Sequence, residues 1–152
     1  MEKRVEDSLT EQVHLVMNGD INGNGRLFGG RLMEWIDEVA GIVGIRHSSM
    51  NVTTAAVENL QFKAGAYMGE LIVLIGKMAA VGRTSMEVRV DVYKEEKNGF
   101  RYPINRAYLT LVALDAEEQP TLVPRLLLET EAQRAELAYA NQRKELRKSH
   151  TH

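Results

Sequence analysis

Four strand patterns follow one another between residues 52 and about 114, and the segments that connect them are too short to hold a helix. The clearest pattern is SMEVRVDVYKE, in which apolar and charged residues alternate from Met86 to Val92. Strands joined by such short connections run antiparallel, because a parallel pair needs a long crossover. The chain is therefore predicted to form one antiparallel sheet.

One convincing helix pattern precedes these strands, in GGRLMEWIDEVAGIVGIRH from Gly29 to His47. Apolar residues recur in it at spacings of three and four, with glutamates on the opposite side. Small residues such as Gly44 indicate that one face of the helix packs closely against a sheet. Strands and helix together predict an α+β fold in which the antiparallel sheet curls around a single long helix.

Length and composition describe an ordinary globular protein. The 152 residues are expected to form one domain (1–152), with a core from about 13 to 115 and a charged helical tail over about 124–148 that opens with Pro124. A net charge of −2 gives no electrostatic reason to expect nucleic acid or a membrane as partner. The sequence has no cysteine, no signal-peptide pattern and no long apolar run, so a cytoplasmic location is expected.

The loop DINGNGRLFGGR, from Asp20 to Arg31, resembles an EF-hand calcium loop at its first positions. The twelfth position of such a loop requires a bidentate carboxylate, and here it is Arg31. The preceding segment VHLVM predicts a strand, whereas an EF-hand needs a helix there. We therefore predict no metal site, and the loop requires another explanation.

Asp37 is the least expected residue of the helix. At about 100° per residue it lies with Met33, Ala40 and Gly44 on the stripe predicted to face the sheet. Burying an ionised carboxylate without partners is costly, so Asp37 is either a structural residue with a bonded partner or a catalytic one. The residues alone leave both alternatives open.

Other polar residues on the predicted core elements carry weaker signals. His14 and His47 fit structural roles, the latter beside the negative end of the helix dipole. Thr54 and Glu58 on the first long strand are expected to be satisfied sheet residues, with a site-lining role as the alternative. The segment GRTS, from Gly82 to Ser85, predicts a turn whose donors are also able to hold a polar ligand.

The pattern NGNGRLFGGRLMEWIDEVAG, followed by VTTAAVENLQF and GRTSMEVRVDV, resembles the hotdog-fold acyl-CoA thioesterases, the group of brain acyl-CoA hydrolase and its small bacterial relatives. The resemblance runs from about residue 13 to residue 115. It implies a hotdog fold and hydrolysis of acyl-CoA to a carboxylic acid and free CoA, with no cofactor, since CoA is part of the substrate. It also implies dimers, often assembled into hexamers as trimers of dimers.

The resemblance also implies residue roles. Asp37 corresponds to the catalytic carboxylate, and Asn22 or Asn24 to the asparagine of the loop. Glycine lets a ligand approach the backbone, so the free N–H groups of Gly29 and Gly30 are expected to hold the thioester oxygen. The residues expected near the bound substrate are Phe28, Thr54, Glu58, Arg83, Thr84 and Ser85.

Gly29 and Asp37 are eight residues apart on one helix, or roughly 12 Å. One thioester group cannot contact Gly29 and Asp37 of the same helix at once. A site that uses both residues therefore needs two chains, which agrees with the pairing of subunits in the hotdog family. The loop departs from the family pattern at Arg26, where some relatives carry a functional Asn or Asp.

The phosphates of CoA need cations, and Arg83 is the nearest candidate, followed by Arg106 and Arg125. Each is equally well explained as a solvated surface arginine. Two other functions remain as alternatives. One is a non-catalytic acyl-CoA binding or sensing module, and the other is a hotdog hydratase or dehydratase, whose sites usually add a histidine to the helix carboxylate.

Overall fold

The computed structural model of the protein describes residues 1–58 and 64–150. It contains a long central helix, a C-terminal helix and a five-stranded sheet. In chain order the elements are β1 (Glu2–Arg4), α1 (Val5–Ser8), β2 (Thr10–Leu15), α2 (Gly29–Ser48), β3 (Asn51–Glu58), β4 (Leu71–Val81), β5 (Ser85–Glu95), β6 (Arg101–Leu114), β7 (Arg125–Leu127) and α3 (Glu131–His150).

The main sheet has the strand order β2-β4-β5-β6-β3, and all of its pairings are antiparallel, as predicted. The two edges are therefore β2 and β3. The apolar residues of the alternating pattern in β5 face the core, as predicted, and Met86 and Val92 are fully buried there. On the outer face Glu87 and Asp91 are also buried, because α3 covers that side of the sheet.

Helix α2 lies in the concave face of the sheet and contributes Ile36, Val39 and Val43 to the core, all fully buried. Its contact with the sheet is close at Gly44, where an added Cβ would lie 2.7 Å from Leu111 Cδ1 and 3.3 Å from Val52 Cγ1. This explains the small residue in the helix pattern. A curled antiparallel sheet around one long helix is the predicted hotdog fold, which is confirmed.

The C-terminal helix begins later than predicted. Pro124 does not open it, but precedes the short strand β7, and α3 starts at Glu131. The start is set by Thr130, whose side-chain oxygen accepts a hydrogen bond from the Gln133 N–H at 3.1 Å. This is the N-cap arrangement that Thr favours, and the sequence signal T-x-x-Q was present.

The N-terminal residues and the segment before α3 also form a structure that the sequence did not suggest. Strand β1 pairs with β7 in parallel, over three residues each. The predicted strand VTTAAVENLQF begins as β3, and its residues 59–62 lie outside the described part of the chain. In the described ranges no helix is long and apolar enough to cross a membrane.

Candidate active site

The loop before α2 is a turn built around the Asn22 side chain. Its Oδ1 accepts hydrogen bonds from the backbone N–H groups of Asn24 at 2.9 Å and Arg26 at 3.2 Å. The Asp20 carboxylate accepts from the Met17 N–H at 2.8 Å and pairs with Arg31 at 3.2 Å. The oxygens that would be the first calcium ligands are thus used within the loop and its flanks.

These bonds also orient the amide of Asn22. Because Oδ1 faces the backbone of the turn, Nδ2 points away from it and has no acceptor among the described residues. Asn24 is exposed and contributes its backbone to the turn. Of the two candidate asparagines, Asn22 is therefore the one whose side chain is held in place by the loop, with its Nδ2 donors available to a ligand.

Helix α2 begins at Gly29 with two free donors. The N–H groups of Arg31 and Leu32 both donate to the Phe28 carbonyl, at 3.0 and 3.1 Å. Within the described part of the chain, the N–H groups of Gly29 and Gly30 have no acceptor, and no side chain caps the helix. The Phe28 ring lies over Gly30, where an added Cβ would be 2.5 Å from it. The glycine pair thus presents free N–H groups at the positive end of the helix.

Asn22 and Gly29 line one cavity of about 280 Å³ at the start of α2. The opposite wall comes from residues 64–66, which precede β4, and from Ile104 on β6. The cavity therefore combines the free amide of the loop with the helix N-terminus. Its described lining residues are Asn22, Arg26, Leu27, Gly29, Leu32, Ala64, Gly65, Ala66 and Ile104.

Asp37 lies in the middle of α2, where its Oδ1 accepts a 2.6 Å hydrogen bond from the Thr54 hydroxyl on β3. The prediction that Asp37 is buried against the sheet is wrong for the single chain, in which Asp37 is exposed. The reason is the sheet boundary. The buried stripe of α2 runs through Ile36 and Val39, and Asp37 projects beside it toward the edge strand β3, beyond which the described residues form no further strand.

A single chain holds Asp37 and the Gly29 donors apart. They are on the same straight element, with a rise of about 12 Å between them. Thr54 is hydrogen-bonded to Asp37, whereas Asn22 lines the same cavity as Gly29. The residues predicted for the site thus lie in two groups, one at the N-terminus of α2 and one at the β3 edge.

The remaining predicted site residues lie outside the cavity. Phe28 is exposed beside it, over the helix start. Glu58, at the end of β3, forms an ion pair of 2.7 Å with Arg147 of α3 and so links the strand to that helix.

Residues 82–84 form the turn between β4 and β5, and Ser85 is the first residue of β5. Gly82 N–H donates to the Ser85 carbonyl, and the Thr84 carbonyl accepts from Ala113 N–H at 3.0 Å. Arg83 is exposed, and the structure gives it no contact with the cavity. Two other arginines proposed for phosphates are engaged, since Arg106 pairs with Asp91 at 2.6 Å and Arg125 donates to the Gly82 carbonyl.

His14 and His47 have structural positions. His47 is fully buried, and its Nε2 lies 2.8 Å from the Pro124 carbonyl oxygen. Burial lowers the pKa of His47 below its ordinary value, and the nearby Lys3 lowers it further. His14 stacks on Trp35 with ring centroids 4.2 Å apart, and burial lowers its pKa as well. Neither imidazole is directed at Asp37.

Sequence reasoning did not assign the cavity wall at Gly65 or a role for Arg26. Gly65 gave only the signal of a glycine in a turn. In the structure, a Cβ on Gly65 would lie 2.6 Å from Nη2 of Arg26. The departure from the family pattern at Arg26 was the one signal that pointed to this wall.

Comparison with known proteins identifies the family. The thioesterase superfamily model matches residues 24–99. The uncharacterized acyl-CoA thioester hydrolase YkhA of Bacillus subtilis is 36% identical over 137 residues, which cover 87% of this chain and 79% of the relative. The chain belongs to the thioesterase superfamily, as its residue pattern predicted.

A second relative is longer than this chain. The cytosolic acyl coenzyme A thioester hydrolase of Rattus norvegicus is 36% identical over 130 residues. The match covers 84% of this chain and 34% of the rat protein. This chain therefore spans about a third of that relative's length.

Solved structures agree with the fold. An apo-hexameric acyl-CoA thioesterase has a TM-score of 0.94 at 36% identity, covering 99% of this chain and 97% of that one. The acyl-CoA hydrolase of Staphylococcus aureus, solved with butyryl-CoA and CoA, has a TM-score of 0.93 at 30% identity, covering 99% and 93%. Three further structures of that hydrolase each have a single residue replaced by alanine: an asparagine, an aspartate or a threonine. The spacing of these three residues along that chain is the same as the spacing of Asn22, Asp37 and Thr54 in this one.

Proposed function

We propose that this protein hydrolyses acyl-CoA thioesters to a free carboxylic acid and CoA. The observation that carries the proposal is the 2.6 Å hydrogen bond from Thr54 to Asp37, because it fixes a carboxylate in a chain whose relatives are named acyl-CoA thioester hydrolases. The alanine substitutions made in the S. aureus hydrolase, at the same intervals, support a role for this pair and for Asn22.

The carboxylate has two routes to the product. Thr54 occupies Oδ1, so Oδ2 of Asp37 is the oxygen that acts. In the first route Oδ2 accepts a proton from water while the water oxygen bonds to the thioester carbon, and the later break of the C–S bond returns that proton to the CoA sulfur. In the second route Oδ2 itself attacks, expels CoA thiolate and leaves a mixed anhydride that water hydrolyses.

Both routes place negative charge on the carbonyl oxygen. Hydrogen-bond donors that can stabilise this charge are in place before the reaction begins: the free N–H groups of Gly29 and Gly30, and the Nδ2 group of Asn22. Such preorganised donors are often the largest single contribution to catalysis. The positive end of the α2 dipole acts in the same direction.

The distance along α2 requires that the two halves come from different chains. Asp37 contacts β3, which within the described ranges is an edge strand whose outer side has no neighbouring strand. A second copy that pairs along this edge would continue the sheet and bring its own helix N-terminus toward Asp37. The proposed unit is therefore a symmetric dimer with two shared sites.

Further assembly into a hexamer, as a trimer of such dimers, is supported by the similar structure that is named hexameric. A cytoplasmic location is supported by the relative that is named cytosolic. Among the histidines whose side chains the structure describes, His14 stacks on Trp35 and His47 contacts the Pro124 carbonyl, which argues against the hydratase or dehydratase alternative. An acyl-CoA sensor is the remaining alternative, and turnover distinguishes it.

The test is release of free CoA from a panel of acyl-CoA thioesters. The wild-type protein should release CoA, and Asp37→Asn should lower kcat by at least about a hundredfold, since positioned acid–base groups contribute on that scale. Glu38→Gln, an exposed carboxylate on the same helix, is the matched control. Acyl-CoA binding without turnover would instead identify a sensor, and a folded Asp37→Asn protein with full activity would remove Asp37 from the mechanism.

A further inference from the structure

Arg26 presents a cation at the wall of the cavity without an anion to balance it. We infer that Arg26 selects acyl groups that end in a second carboxylate, so that the preferred substrates are CoA thioesters of short dicarboxylic acids. The inference rests on the proposed hydrolase function and adds the class of acyl group.

The backbone of Arg26 is held on both sides. Its carbonyl accepts from the Asn22 N–H at 2.8 Å, and its own N–H donates to Asn22 Oδ1 at 3.2 Å. On the other side it forms an antiparallel bridge with Tyr67. The root of the side chain is therefore fixed relative to the Asn22 amide, which is part of the proposed oxyanion site.

The guanidinium group is positioned by two neighbours. It lies against Gly65, where an added Cβ would be 2.6 Å from Nη2 and 2.9 Å from Cζ. The Cζ atom also lies 5.7 Å from the centre of the Tyr67 ring, within the range of a cation–π contact. A glycine at 65 is thus what leaves room for the arginine along this wall.

The charge of Arg26 is uncompensated in the part of the chain that the structure describes. There, its guanidinium forms no ion pair and no hydrogen bond, whereas Arg31 in the same loop region pairs with both Asp20 and Glu34. Residues 59–63, which lie outside the described ranges, contain no aspartate or glutamate. The described lining of the cavity contains no carboxylate either.

This arrangement distinguishes between acyl groups. A neutral acyl chain that fills the cavity would displace water from the guanidinium and give it no acceptor in return, which is unfavourable. A terminal carboxylate would instead accept paired hydrogen bonds from the planar guanidinium. With the thioester oxygen at Asn22 and Gly29, a cavity of about 280 Å³ leaves room for a short acyl chain between that oxygen and Arg26.

The test compares glutaryl-CoA with 5-methylhexanoyl-CoA, whose acyl groups match in shape but differ in the terminal carboxylate. The wild-type kcat/KM should be higher for glutaryl-CoA by roughly tenfold to a hundredfold, the range expected for hydrogen bonds to a charged group. Arg26→Gln should bring the ratio of the two constants close to one. Arg26→Lys keeps the charge without the planar fork, and should give an intermediate ratio.

Two further variants separate position from charge. Gly65→Ala keeps Arg26 but displaces its guanidinium, and should lower the ratio as well. Arg134→Gln removes an exposed arginine of α3 and is the matched control, which should keep the wild-type ratio.

Equal wild-type constants for the two thioesters would overturn the inference while leaving the hydrolase function intact. Equal losses on both thioesters in Arg26→Gln would also overturn it, because Arg26 would then contact a group common to all acyl-CoAs, such as a CoA phosphate. Failure of the wild-type protein to release CoA from any acyl-CoA would contradict the hydrolase function itself.

Discussion

The hydroxyl of Thr54 donates a 2.6 Å hydrogen bond to Oδ1 of Asp37 and thereby joins the middle of α2 to the edge strand of the sheet. Thr54 is the last residue before an irregularity in the pairing of β3 with β6. The bond leaves Oδ2 of Asp37 without a partner among the described residues, so one oxygen is held while the other is available for reaction.

Replacement of Thr54 by valine should lower kcat by roughly tenfold to a hundredfold, because the carboxylate loses a charge-assisted hydrogen bond and its fixed orientation. Thr54→Ser keeps the hydroxyl and should retain most activity. Thr53→Val, at the adjacent exposed residue of β3, is the control. The measurement is CoA release, and equal activity of the valine and serine variants would contradict the assignment.

The fold followed from the sequence because its strands carry strong and simple patterns. The alternation from Met86 to Val92 and the short connections predicted that the strands run antiparallel, and the glycine at 44 marks the close contact of helix and sheet. The strand order was not predicted, because no local pattern shows that β3 pairs with β6 and not with β4, its neighbour in the sequence. The β1–β7 pair could not be foreseen, because two paired segments of three residues each, far apart along the chain, are too short to show a periodicity.

The candidate site was predicted residue by residue and not as an arrangement. Asp37 was identified by its chemistry, but a helical wheel does not show where a sheet ends, and so its exposure was missed. Likewise, the ion pair of Glu58 with Arg147 joins residues 89 positions apart, which no local pattern reports. The cavity wall at Gly65 likewise depends on a backbone bridge between Arg26 and Tyr67, two residues that are far apart in the sequence.

The contact between α3 and the sheet depends on buried charge. Arg143 of α3 pairs with Glu87 of β5 and lies 3.6 Å from the centre of the Tyr108 ring, while Glu87 is 7% exposed. Arg143→Ala should lower the free energy of unfolding by about 3 kcal/mol, because it leaves Glu87 buried with a weakened partner set. Urea unfolding measures this, with exposed Arg134→Ala as the control. A loss no larger than that of the control would show that the pair contributes little.

His47 should also make the stability of the protein depend on pH. Because burial lowers the pKa of His47 in the folded state, the unfolded chain takes up the proton first as the pH falls. Above about pH 6.5, His47 therefore does not make the free energy of unfolding depend on pH. As the pH falls below that value, the contribution of His47 to the free energy of unfolding is lost.

The variant His47→Gln isolates this effect. The difference in melting temperature between wild type and His47→Gln should be largest at pH 8 and should narrow toward pH 5. The Asp7 carboxylate and the Pro124 carbonyl raise the pKa of His47, and Lys3 and Arg125 lower it, so low salt is used throughout. A difference that stays constant over the whole range would contradict a role for His47 protonation.

The shared site is tested most directly by mixing two inactive proteins. Asp37→Asn removes the carboxylate, and Asn22→Asp keeps the acceptor that holds the loop turn while it replaces the Nδ2 donors with a negative charge. Each protein alone should be inactive. Differently tagged chains are dissociated, mixed, reassembled and assayed for CoA release. In a random mixture of dimers with shared sites, about a quarter of the wild-type activity should return, since one of the two sites in each heterodimer receives both intact halves. Purified heterodimers that remain as inactive as their parents would contradict a site built from two chains.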